Sequence, residues 1–143
     1  MADTQQLEQV VRELIELYGV TAPPIPIEQM LQHPHPDMWN DVDMDDFSSS
    51  FLNIKTPFSP RISLARFLAR QIAKSDWGAQ RGVEALDGDE DAIYRFARMI
   101  AMPVDLVLEL NAESRTAQLV SLHFEVPEED ARLRLQDLAT YAH

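Results

Sequence analysis

Prolines stand where the helical repeat of apolar residues breaks, and they decide which stretches of this chain can be helical at all. Proline lacks an amide donor and its ring clashes with the preceding turn, so helix interiors exclude it. The cluster in "VTAPPIPIEQ" forces an extended passage, and "HPHP" at His33 to Pro36 ends what precedes it. "TPFSP" precedes a new start, Pro103 closes another stretch and Pro127 opens the last. The intervals left between them carry apolar residues at spacings of three and four, the mark of amphipathic helices.

The first interval, "DTQQLEQVVRELIELY", puts Leu7, Val10, Val11, Leu14, Ile15 and Tyr18 on one face, with Asp3 or Thr4 to cap it and Gly19 to end it. Ile27, Met30 and Leu31 predict a short second helix. A third runs from about Pro60 to Ser75, with Leu64, Phe67, Leu68 and Ile72 as its apolar stripe. Ala65, Ala69 and Ala73 flank that stripe and admit close approach of another helix. A loop with Gly78, Gly82 and Gly88 follows, then "DEDAIYRFARMIAMP", whose Ala92, Ile93, Phe96, Ala97 and Ile100 face inward. Its acidic first turn suits the helix dipole. "PVDLVLELN" reads as a further helix, and residues 112–143 as a helical pair turning at "HFEVPEE", with Pro127 at the first position of the last helix.

Between "HPHP" and "TPFSP" the period changes from helical to two. "DMWNDVDMDD" carries five aspartates, with Met38, Val42 and Met44 on alternate positions, and "SSSFLNIK" follows after a polar turn around Asp45 to Ser49. The pattern predicts a small two- or three-stranded sheet, antiparallel, near residues 37–56. The expected fold class is therefore α+β, helix-rich, a single domain over 1–143 that closes with a helical hairpin at 112–143.

Bulk properties exclude several function classes. With no cysteine there is no disulfide, no thiolate metal site and no cysteine nucleophile. The N-terminus lacks a basic region followed by an apolar core, and no apolar run is long enough to span a bilayer, so a cytoplasmic protein is expected. Twenty-four acids against 12 lysines and arginines give a net charge of −12, which repels nucleic acid and anionic membranes and steers in a basic protein partner. The four glycines form neither a nucleophile elbow nor a phosphate loop.

Against that acidity, "RISLARFLARQIAK" stacks Arg66, Arg70 and Lys74 at successive spacings of four. Such a stripe is ordinarily a solvated face balancing a negative surface. Its surroundings allow another account. In order along the chain, "LIELYGVTAPPIPIEQML", "FLNIKTPFSPRISLA", "EDAIYRFARMIAMP" and "LVSLHFEVPEEDARLRLQDL" resemble the segments of the ImmA/IrrE family of bacterial metallopeptidases. The resemblance implies a zincin-like domain whose relatives cleave helix-turn-helix repressors. Where that family carries His-Glu-x-x-His, this chain has Arg66, Phe67, Leu68, Ala69 and Arg70. Both ligands and the general base are replaced, because a guanidinium cannot ligate zinc and a phenyl ring cannot take a proton. Glu90 falls where the family's third ligand would come. The resemblance thus implies a non-catalytic homologue, without cofactor, in which Arg66 or Arg70 pairs with Glu90 or its neighbours Asp89 and Asp91 in place of the metal. Asn53, Arg61 and Lys74 become candidate partner-binding residues, and a repressor-like DNA-binding protein becomes the expected partner.

Other constellations fit less well. "DVDMDD" from Asp41 starts like a calcium loop, but Asp46 stands where glycine is required and Leu52 where a bidentate Glu belongs. His33, His35 and Asp37 could meet as a surface metal trio, though a proline-rich loop lacks the frame and the fourth ligand; a helix terminator is the plainer role. His123 suits packing or capping at the end of its helix. The C-terminal pair has the pattern of a helix-turn-helix, making a DNA-binding regulator an alternative, yet Glu128, Glu129 and Asp130 would face the phosphates, with only Arg132 and Arg134 to offset them. A divergent hydrolase is the remaining alternative.

Overall fold

The computed structural model describes residues 3–40 and 59–141. Among the described residues eight α-helices follow one another: α1 (Thr4–Leu17), α2 (Ile27–Gln32), α3 (Ser59–Lys74), α4 (Asp76–Ala79), α5 (Glu90–Ala101), α6 (Val104–Glu109), α7 (Ala117–Phe124) and α8 (Glu128–Tyr141). Short 3-10 turns at Val83–Leu86 and Ala112–Ser114 connect them.

The helices begin and end where capping chemistry directs. Asp3 caps α1, its carboxylate accepting the Gln6 amide at 2.7 Å, and Gly19 follows the helix at φ 63°, a left-handed conformation glycine adopts without strain. Asp89 caps α5 by accepting from Ala92 N, with Glu90 and Asp91 in the first turn and Arg98 in the last, the charge order the helix dipole favours. Pro127 stands one residue ahead of α8 rather than at its first position, its carbonyl accepting from Ala131 N at 3.1 Å.

Helices α3 and α5 form the central pair, with α1, α2 and α8 packed around it. Leu68 and Ile72 of α3 and Phe96 and Ile100 of α5 are fully buried together with Leu14, Met30, Val107 and Phe124. The alanine flank behaves as its residue size predicts: Ala65, Ala69 and Ala73 are buried, which lets α5 come close. The stretch read as a loop at Gly78 is instead the short helix α4, capped by Ser75. Gly78 is required there by contact, since a Cβ would lie 2.0 Å from the Ile72 carbonyl oxygen. Arg81 then fastens this turn to α1, donating to Glu13 at 2.7 and 2.9 Å while its guanidinium lies 4.0 Å over the Trp77 ring.

The α+β expectation is corrected: among the described residues every regular element is helical and no strand forms. Most of the sheet read near 37–56, with the calcium-like loop from Asp41 and with Asn53, lies outside the described residues. The described portion, 37–40, is a turn. Asp37 takes a left-handed φ of 71°, its carbonyl accepts the Trp77 amide at 2.8 Å, and both Met38 and Trp39 turn toward the core. A strand sends successive side chains to opposite faces. Here Trp39 is instead held by its indole N–H, which donates to the Leu31 carbonyl at 3.0 Å. The zincin-like architecture, which needs a sheet, has no strand among the described residues to rest on.

Candidate functional site: the arginine face of the third helix

One turn apart on α3, Arg66 and Arg70 reach different neighbours. Arg70 extends to α5, its Nη2 donating to Glu90 Oε2 at 2.8 Å. The pair is open to solvent, with the Glu90 side chain 63% exposed. Arg66 lies between α5 and α8: its guanidinium lies 4.0 Å over the Tyr94 ring of α5, and its Nη2 stands 3.6 Å from Asp130 Oδ1 of α8. Of the two arginines that the resemblance sets where histidines would stand, then, the structure brings one to Glu90 and the other to Tyr94 and Asp130. Asp89 is occupied in capping α5. Lys74 is exposed at the end of α3 and makes no ion pair among the described residues. Phe67 is half-buried against the core. Arg61 donates to the Ile25 carbonyl at 2.5 Å and lies 3.6 Å from Glu125, so it braces α3 against the chain before α2 and the turn before α8.

Arg66 belongs to a charged layer between α3, α5 and α8. Arg95 Nε donates to Asp137 Oδ2 at 3.2 Å, and Arg98 feels both Asp137 and Asp130. Burial dominates at two of these groups. It raises the Asp130 carboxyl above its ordinary range despite Arg66 and Arg98, and it lowers the Arg98 guanidinium despite the two aspartates. Nε of Arg66 and Nε of Arg98 are buried without a hydrogen-bond partner among the described residues. The layer joins helices by charge at some cost in desolvation.

Its chemistry is that of fixed cations and hydrogen-bond donors. Guanidinium and phenyl groups at Arg66, Phe67 and Arg70 do not fit a zinc ion, which needs lone-pair donors. Among the described residues, no three His, Asp or Glu side chains are disposed to hold a metal. His33 is exposed just past α2, and His35 stacks edge-on against Tyr18 with ring centres 4.9 Å apart, so the loop histidines terminate and brace rather than converge. Burial pushes the Tyr18 hydroxyl up to about 12; it donates to the His33 carbonyl at 2.8 Å. His123 is exposed near the end of α7.

The C-terminal pair loses the cations counted on for phosphate contact. Arg132 folds back onto Glu129 within α8. Arg134 is fully buried: Nη1 and Nη2 donate to Glu8 of α1 at 2.6 and 2.8 Å, and Nε donates to the Met102 carbonyl at 2.9 Å. This clamp joins the first helix to the last and satisfies the guanidinium on all three nitrogens. Sequence reasoning passed over it, although a signal existed. Glu8 falls on the α1 stripe one turn before Val11 and two before Ile15, and Arg134 falls on the α8 stripe between Ala131 and Leu138, so opposite charges sit at core positions of the two terminal helices.

In comparisons with known proteins, the chain matches no family model, no curated protein and no solved structure.

Proposed function

We propose that this protein is a non-catalytic protein-binding module that engages a basic partner, in the manner of an ImmA/IrrE-type peptidase domain whose metal site has been given over to arginine. The observation that carries the reading is the disposition of charge. Arg12, Arg61, Arg66, Arg70, Arg81, Arg95, Arg132 and Arg134 are each turned onto one of the chain's own carboxylates, which leaves the net −12 of the chain without cations to balance it. A surface of that sign accelerates encounter with a cationic protein and opposes a polyanion. A helix-turn-helix repressor, basic where it meets DNA, is the partner class that the ImmA/IrrE resemblance suggests.

The test pairs two measurements. Protein purified without chelators is assayed for zinc and for hydrolysis of a helix-turn-helix repressor, and is then titrated with that repressor's DNA-binding domain and with duplex DNA over a salt series. The expected result is substoichiometric zinc, an uncut repressor, and protein binding that weakens with salt while DNA fails to bind at low salt. Stoichiometric zinc with repressor cleavage, or tight duplex binding, overturns the reading.

A further inference from the structure

Away from the arginine face, α1 and α6 leave a cleft of about 260 Å³ between them. Its lining is mostly apolar, from Val11, Ile15 and Val20 on one side and Pro103, Val104 and Leu106 on the other. Arg12 reaches across from α1 and forks onto Asp105 of α6 at 2.7 and 3.0 Å, tying the two walls together. Glu8, in the floor, is committed to Arg134. At the rim, Glu16 and Glu109 are exposed and make no ion pair among the described residues. Leu108, 42% exposed and one turn on from Val104, extends the apolar surface outward.

We infer that this cleft is the docking point for the basic partner, receiving one apolar anchor side chain from an amphipathic helix while flanking lysines or arginines meet Glu16 and Glu109. The inference rests on the proposed binding function and adds its location. Size supports a side chain rather than a free small molecule: the volume falls below the roughly 300–1,000 Å³ of drug-sized ligand sites, and an anchor residue in a small desolvated pocket is how interfaces concentrate their affinity. Charge selects the occupant. A second copy would bring another net −12, and the chain's own 41–58 segment carries four aspartates against one lysine, so both match the rim in sign. A cationic helix complements it.

The probe is a synthetic amphipathic helical peptide of leucine and lysine, titrated into the ¹⁵N-labelled full chain. Amide shifts are expected to concentrate on Val11, Ile15, Val20, Val104 and Leu106. Reversing the rim with Glu16→Lys and Glu109→Lys is expected to weaken binding at least tenfold at low salt, whereas the exposed control reversal Glu84→Lys with Asp87→Lys leaves it within twofold. Equal weakening by both reversals, or peptide binding that leaves the cleft amides unmoved, overturns the docking site and spares the function. Absence of binding to this peptide and to a basic DNA-binding domain alike overturns both. Cleft shifts that grow with protein concentration without peptide assign the cleft to a second copy and overturn the inference.

Discussion

Two arginine–glutamate pairs hold this molecule at opposite depths. Arg70 and Glu90 meet at 2.8 Å across α3 and α5, in solvent, on the face where the peptidase resemblance directs attention. Arg134 and Glu8 meet at 2.6 Å across α8 and α1, both fully buried, the arginine being one that the helix-turn-helix alternative set against DNA phosphates. Bond length barely distinguishes them; environment does. A pair in water gains little, because water screens it and already solvated both charges. A buried pair has given up that hydration, so it is tolerable only while both partners and the third donor remain satisfied.

The comparison is broken most directly at the buried end. Arg134→Ala strands the Glu8 carboxylate in the core and deprives the Met102 carbonyl of its donor, and is expected to lose about 3–5 kcal/mol of stability in urea denaturation. Glu8→Leu combined with Arg134→Met removes both charges, fills the space, and is expected to recover most of that loss. A remainder on the order of 1–3 kcal/mol should persist, because the Met102 carbonyl stays unpaired. A double variant as unstable as Arg134→Ala would mean that the clamp does more than satisfy its own charges.

Asp130 lies between the extremes, buried in the layer with Arg66 and Arg98 but lacking a close bond to either. Desolvation raises its carboxyl, so the folded chain holds this proton more tightly than the unfolded chain does. The stability it contributes is therefore full below its ordinary value of 3.8 and is lost as pH rises through the raised folded value. Asp105 has the opposite sign. The hydrogen bond from Arg12 lowers it, so its contribution is present above the ordinary value and is lost as pH falls through the depressed one. Asp130→Asn, neutral throughout, is expected to stabilise the protein at pH 7, because burial outweighs the attraction of Arg66 and Arg98 at this carboxyl. It should also remove the component of stability that declines above pH 4. Urea midpoints at pH 4 and pH 7 check both; a destabilised variant at pH 7 would show that Arg66 and Arg98 outweigh the desolvation.

The same contrast explains what could be read from the residues alone. Helix α1 was legible nearly to the residue, because Leu7 to Tyr18 keep one periodicity between Asp3 and Gly19, and the Pro60 and Pro103 boundaries follow from proline's missing donor. These are local rules. The turn at Asp37 to Asn40 was not legible: Met38 alternates with Val42 and Met44 as a strand would, and only the Trp39 indole's bond to Leu31 and the backbone bond to Trp77 turn it inward. A pairing of Arg66 or Arg70 with Glu90, Asp89 or Asp91 was expected only from the family resemblance, and no spacing rule chose Arg70 and Glu90 among them. Glu8 and Arg134 are separated by 126 residues, and a single charge on an apolar stripe gains meaning only when the opposite charge on another helix is brought to it. Which partner Arg66 takes was hidden for a related reason, since one helical turn decides whether a guanidinium finds Glu90 or the Tyr94 ring, and no spacing rule encodes the position of Asp130 on α8.

At the exposed end the expected effect is small, and its smallness is informative. Arg70→Ala removes a pair whose carboxylate is largely hydrated, so stability should fall by about 0.2–1 kcal/mol, with the difference shrinking between 0.05 and 1 M salt as the Debye length drops from about 14 to 3 Å. Glu90→Gln should change even less, because the amide oxygen still accepts from Arg70 and the residue remains in the first turn of α5. Thermal unfolding of both variants across that salt range makes the measurement. A salt-independent loss above roughly 2 kcal/mol would place the pair in a drier setting than its exposure allows and erase the contrast with Arg134 and Glu8. The small, salt-sensitive loss would show that Arg70 and Glu90 add little to the stability of the fold, as water's screening of an exposed pair requires.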